Sequence, residues 1–168
     1  STLLEATVRD NPDAPRVMYL HALDLRDRGR VPESLATCRR LLERLPRSAD
    51  GWHLAGRNLA DLGREAEACR AFERAVDLAR RPDPAWLNDY AVALIREGRS
   101  AEALSLLERA LERDPGNPRF AENHAQLLLL EPGTREQGLA ELRELIARHP
   151  ATASAWILLV EAELAAGR

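Results

Sequence analysis

Apolar residues recur along this chain with the spacing of helices. Trp52, Ala55, Gly56 and Leu59 follow the i, i+3, i+4, i+7 pattern of a single buried stripe, and Ala68, Phe72, Ala75 and Val76 repeat it after Gly63. Alternating apolar and polar runs, the mark of strands, are absent. Gly63 predicts a left-handed residue that closes the first helix of this pair and leaves a tight turn before the second. Pro82 and Pro84 then separate this pair of helices from the next, and Asn117-Pro118 predicts another helix start.

The same pair recurs. Gly29 to Gly63 is 34 residues and Gly63 to Gly98 is 35; Pro12 to Pro46 is 34 and Pro115 to Pro150 is 35. A large apolar residue precedes each of four glycines by 11 positions: Met18–Gly29, Trp52–Gly63, Leu87–Gly98 and Trp156–Gly167. Two independent markers in one phase signify an internal repeat, in which each unit buries its apolar face only by stacking on its neighbours.

These residues resemble the tetratricopeptide repeat family. Its pattern, Trp-x2-Leu-Gly-x2-Tyr, then Ala-x3-Phe, then Pro, reads here as Trp52, Ala55-Gly56, Leu59, Ala68 and Phe72. Further copies give Met18, His21-Ala22, Leu25, Ser34, Cys38, Leu41 and Pro46, then Leu87, Tyr90-Ala91, Leu94, Ala103, Leu107, Ala110 and Pro115. The most divergent gives Ala121, His124-Ala125, Leu128, Gly138, Leu142, Leu145 and Pro150, with one extra residue in its turn at 131–134. The resemblance implies an all-α, right-handed α-solenoid of about ten helices. Its expected organisation is a half repeat at 1–14, repeats at 15–48, 49–83, 84–117 and 118–152, and a half repeat at 153–168. Trp156 and Leu159 are expected on an uncovered apolar face that invites end-to-end pairing of two copies.

Composition narrows the chemistry. The 168 residues carry 24 basic groups, all Arg, against 27 acidic ones, for a net charge of −3. With no Lys there is no P-loop, Schiff-base or pyridoxal-phosphate lysine within this segment. A net negative chain does not predict binding to nucleic acid by charge. Residues 127–130 form the longest aliphatic run, far short of a membrane span, so a soluble segment is expected, cytoplasmic or periplasmic. Arg used exclusively, with abundant Ala and Leu, suggests a GC-rich bacterial genome. Cys38 and Cys69 are too few for a disulfide framework or a four-thiolate zinc site and are expected as buried thiols.

No catalytic motif occurs: there is no Gly-x-Ser-x-Gly, Gly-x-Gly-x-x-Gly or His-Glu-x-x-His. His21 and His124 hold equivalent places facing the partner helix and are expected as core histidines bonded to a carbonyl. The reading is therefore a non-enzyme with no metal and no cofactor.

The resemblance implies that the first helices of successive repeats line a concave wall that takes a peptide or partner protein. Subtracting the core stripe leaves Arg16, Tyr19, Leu23 and Arg26 in the first repeat and His53, Arg57 and Ala60 in the second. The third leaves Asn88, Val92 and Ile95, with Asp89 beside them. The fourth leaves Arg119, Glu122, Gln126 and Leu129, with Asn123 beside them. Amides and guanidinium groups in such a wall can pair the backbone and carboxylates of an extended peptide. Two specialised grooves of the family are excluded. The clamp for acidic C-termini needs Lys, which is missing, and Asp89 would repel a carboxylate. The asparagine ladder of sugar-transferase arrays reads here as Leu20, Leu54, Asp89, Asn123 and Leu158, a single rung. Two rival roles remain open: an accessory arm of a larger bacterial protein, such as a transferase or an envelope secretion or export component, and a self-assembly module.

Overall fold

Successive helices joined by short turns make up the described chain. The computed structural model describes residue 11, residues 13–130 and residues 133–165. Among them are nine α-helices and no strand: α1 (Pro15–Asp27), α2 (Val31–Arg44), α3 (Ala49–Asp61), α4 (Glu65–Leu78), α5 (Pro84–Arg96), α6 (Ser100–Arg113), α7 (Pro118–Leu130), α8 (Arg135–Arg148) and α9 (Ala153–Ala165). The further helix expected within 1–14 falls almost wholly outside the described residues.

Local chemistry sets these boundaries. Ser48 caps α3 by accepting from the Gly51 N–H at 3.1 Å, and Asp83 caps α5 by accepting from Ala85 at 2.8 Å. Pro15 and Pro84 open their helices where no N–H partner is needed. Gly29, Gly63 and Gly98 have φ of 74°, 70° and 77°, the left-handed conformation that their spacing predicts. Past two of them the chain closes with the bonds Arg30 N–H to Leu25 O at 2.8 Å and Arg64 N–H to Leu59 O at 2.9 Å. The turn at 131–134 lies partly outside the described residues; there the Thr134 hydroxyl donates to the Leu128 carbonyl at 2.8 Å.

Two compact units divide the chain, Ser1–Glu97 and Gly98–Arg168. In the first, α1 to α5 pack in sequence, with the first helices of successive hairpins (α1, α3, α5) also in contact. Residues of α3 are buried around most of its girth: Gly51, Leu54, Ala55, Gly56, Asn58 and Leu59. A Cβ on Gly56 would stand 2.7 Å from Cδ1 and Cε1 of the buried Phe72 ring, so only glycine lets α3 lie this close to α4. Asn58 anchors a buried polar chain. Its amide donates to Ser34 Oγ at 2.8 Å and Cys38 Sγ at 3.6 Å, while Ser34 donates to the Ala22 carbonyl at 2.7 Å. Arg26 donates to Asn58 Oδ1 at 2.9 Å and pairs with Asp61 at 2.7 Å. One amide thus joins α1, α2 and α3.

In the second unit, α6 to α9 pack in sequence, and Leu139, Leu142, Leu145 and Ile146 of α8 form a core with Ala125 of α7 and Ala155 and Leu159 of α9. Two expectations are corrected here. Leu159 is not on an uncovered face. It is 8% exposed, because Ala155 and Leu159, four residues apart, turn together toward α8; Trp156, next along the helix, is 47% exposed. The exposed apolar row of α9 is Trp156, Ile157, Val160 and Leu164. His124 is buried as expected, but its Nδ1 lies 2.7 Å from the Glu141 carboxylate rather than bonding a carbonyl.

Candidate functional site

Within the first unit, three first helices bring polar and aromatic side chains together. On α3 the His53 ring stacks on Trp86 of α5, centroids 4.6 Å apart and planes 13° from parallel. Its Nε2 lies 3.1 Å from Asp89 Oδ2, also on α5. Phe72 of α4 backs the ring at 5.6 Å. Arg57, one turn along α3, brings Nε to 3.9 Å from the same Asp89 oxygen and stays 44% exposed. Asp89 therefore faces an imidazole and a guanidinium from the neighbouring helix. The α1 side carries Tyr19 and Leu23, both half-buried, and Leu20, 42% exposed. Burial pushes the Tyr19 hydroxyl pKa up, Asp50 and Cys38 push it further, and Arg57 pulls it down, so its surroundings join α1 to α3.

Of the residues expected on this face, Tyr19, Leu23, His53, Arg57, Asp89 and Val92 all keep some exposure. Asn88 is the exception. It is 0% exposed, enclosed in a stretch of α5 where Leu87, Tyr90, Ala91, Ala93 and Leu94 are buried as well, so its amide is not available to a ligand. Trp86 is the residue that stripe counting misses. A tryptophan just before the core position Leu87 was the available signal, since a bulky ring beside the core stripe needs a partner on the flank of the helix.

The second unit is a separate case. On α7, Glu122 accepts from the Ser154 hydroxyl of α9 at 2.8 Å, Asn123 is half-buried, and Gln126 is exposed.

The described residues contain no group of three or more His, Cys, Asp or Glu placed to hold a metal ion. Burial pushes the Cys38 thiol up to about 11, against opposing hydrogen bonds from Ser34 and Asn58, so it is not an activated nucleophile. No helix among the described residues is long and apolar enough to cross a membrane.

The sequence profile of the tetratricopeptide repeat matches residues 1–52, 53–118 and 127–168. The chain belongs to the tetratricopeptide repeat family. Its fold agrees: it is similar to YrrB, described as a TPR protein with an unusual peptide-binding site, with a TM-score of 0.84 at 18% identity over 98% of this chain and 84% of that one. Among curated proteins it is 37% identical to the cytochrome c-type biogenesis protein CycH of Rhizobium meliloti over 127 residues. That alignment covers 72% of this chain and 32% of the relative. CycH of Pseudomonas aeruginosa is 38% identical over 88 residues, 51% of this chain and 21% of that protein. The chain thus spans about a third or less of the length of these relatives.

Proposed function

We propose that this TPR segment is a non-catalytic scaffold that holds a polypeptide during cytochrome c-type biogenesis, using the face of α1, α3 and α5. The observation that carries this reading is the His53–Trp86 stack with Asp89 and Arg57 at its edge. It offers a flat aromatic ledge, a carboxylate acceptor and a guanidinium donor at fixed spacing. Leu20 and Leu23 add apolar surface on the neighbouring helix. Rigid helices hold these groups in place before a ligand arrives, which lowers the ordering cost of binding. An extended peptide can lay an apolar side chain on Trp86 and pair a carboxylate or carbonyl with Arg57. The CycH similarity supports placing this activity in cytochrome c maturation, where the client is a protein.

The test uses a fluorescently labelled haem-free c-type cytochrome polypeptide, with the folded holocytochrome as control. The native chain binds the haem-free polypeptide, and Arg57→Ala with Trp86→Ala weakens it tenfold or more while the far-UV spectrum is kept. Equal affinity for the variant would move the site off this face. A chain that binds neither form would remove the client reading.

A second reading has its own support. The aligned segments cover only 32% and 21% of the two CycH relatives, which favours an arm that recruits clients for the rest of a larger protein. Restoration of c-type cytochromes by the whole protein but not by this segment, in cells lacking the endogenous gene, distinguishes it.

A further inference from the structure

The opposite side of the first unit carries a second recess. Between α2 and α4, floored by α3, lies an open cleft of about 680 Å³. Ala55 and Leu59 of its floor stand two residues on from His53 and Arg57, which is about 160° round the helix. The cleft and the His53–Trp86 face are therefore on different sides of α3.

Three features make this more than a gap between helices. First, the floor is apolar and contains Trp52, whose indole N–H is already satisfied by the Pro46 carbonyl at 2.9 Å. The ring is fixed in orientation and its remaining exposed surface offers only apolar contact. Second, its size is that of a ligand site, and tryptophan and arginine are the residues that dominate binding energy at protein interfaces. Third, the rim is net positive. Arg39 on α2 and Arg70 and Arg74 on α4 line the cleft, and none has a carboxylate within ion-pair distance among the described residues. Glu67 on the same rim is neutralised by Arg64 through two bonds of 2.7 Å, and its carboxyl is held below the usual range by that contact. Arg70 and Arg39 also act on Glu67 through their charge, so the rim sets three guanidinium groups against Glu43 and a Glu67 that is already bonded to Arg64.

We propose that this cleft is a second docking site, for an acidic polypeptide segment that inserts bulky apolar side chains over Trp52 and sets Asp or Glu against Arg39, Arg70 and Arg74. Exposed guanidinium groups that hold no direct ion pair lose little on pairing with carboxylates and can do so in two-pronged fashion. The site is independent of the His53–Trp86 face, so a single chain can hold two segments at once.

The experiment selects a phage-displayed library of random peptides on the full chain, then measures enriched peptides by anisotropy and by fluorescence of a chain keeping only Trp52. Arg39→Glu/Arg70→Glu/Arg74→Glu is the cleft variant; these side chains are exposed, so its melting curve should stay close to native. Arg57→Ala/Trp86→Ala is the control for the other face. The expected result is enrichment of net-negative peptides with paired apolar residues. They should lose tenfold or more in affinity to the cleft variant, keep it with the control, weaken with added salt and shift Trp52 emission. Peptides that bind native and cleft variant alike overturn the proposal, as does loss only in the control variant. An absence of enrichment overturns it too. Growth in particle size with concentration that the cleft variant abolishes would give the cleft to a second copy instead, and would equally overturn it.

Discussion

Replacing Gly56 by alanine tests the closest helix contact in the first unit, and the sign of the effect is diagnostic. Two terms compete. Alanine in a helix interior is favoured over glycine by about 0.8–1.0 kcal/mol, so without a steric problem the variant would be more stable. Against this, the new Cβ would stand 2.7 Å from two carbons of the Phe72 ring and 3.0 Å from a third. Ordinary carbon contacts lie near 3.5–4.0 Å, so the ring or the helix must retreat by roughly 0.8 Å. Phe72 is 2% exposed, with His53 at 5.6 Å on one side and Tyr90 at 6.4 Å on another, so any retreat of the ring disturbs packed neighbours. Overpacking of this kind costs about 1–3 kcal/mol. A contact as short as 2.7 Å belongs in the upper part of that range, about 2–3 kcal/mol, so after the helix-propensity gain is subtracted the net expectation is a loss of about 1–2 kcal/mol. Urea unfolding followed by circular dichroism measures it. Because His53 leans on Phe72 and stacks on Trp86, indole fluorescence should change in the folded variant as well. Combining Gly56→Ala with Phe72→Leu should recover about 1 kcal/mol relative to the sum of the two single changes, since the residues touch. An unchanged or higher urea midpoint for Gly56→Ala alone would refute the close approach, and with it the register of the repeat.

Asn58→Ala removes the amide shared by α1, α2 and α3 and should destabilise by about 1–3 kcal/mol, with coupling to Ser34→Ala in a double-mutant cycle; additive effects would mean the buried chain does not act as a unit. Glu141→Gln reads the His124 contact through pH. Burial raises the Glu141 carboxyl, but hydrogen bonds from His124 and Gln137 outweigh it and leave the pKa lowered on folding. A lowered folded value stabilises above the unfolded one and is lost as pH falls through it. The native advantage over the variant at pH 5.5 should therefore shrink below about pH 4.3, and a gap unchanged at pH 3 would contradict the assignment. Cys38 and Cys69 are both buried, so thiol reagents at pH 8 should modify neither in the folded protein and both after denaturation; rapid labelling of Cys38 in the native state would be incompatible with its thiol lying near 11.

How far the sequence reaches depends on how many sides of a helix are covered. The turns were legible, because a left-handed glycine at Gly29, Gly63 and Gly98 leaves a mark independent of packing. The second helices were legible too: Ser34, Cys38 and Leu41 on α2 are buried at the positions that Ala68, Phe72 and Ala75 hold on α4. First helices follow different arithmetic. Each meets a second helix and also neighbouring first helices, so subtracting one apolar stripe leaves residues that are still interior. Asn88 was assigned to the surface for this reason and is enclosed. Leu54 shared a nominal inner position with the exposed Leu20 but is 2% exposed. Asn58 reads as an ordinary polar residue until Ser34 and Arg26 are seen around it. The His53–Asp89 contact joins residues 36 apart, and no one-helix pattern encodes which neighbour a side chain will reach.

The amide of Asn58 has a consequence for how the chain finds its fold. Hairpins built on one template can, in principle, stack on the wrong neighbour during synthesis, and apolar seams alone discriminate poorly among near-copies. The partners of Asn58 do not recur: Ser34 is matched by Ala68, Ala103 and Gly138 in later hairpins, and Asn58 by Ala93 and Leu127. A later hairpin docked in place of the first would leave that amide dehydrated and unpaired, a cost of about 1–3 kcal/mol. The junction of α1 and α2 with α3 is in this sense addressed: it accepts one neighbour and penalises the others, so exchanging hairpins within this chain is not neutral even where their apolar stripes match.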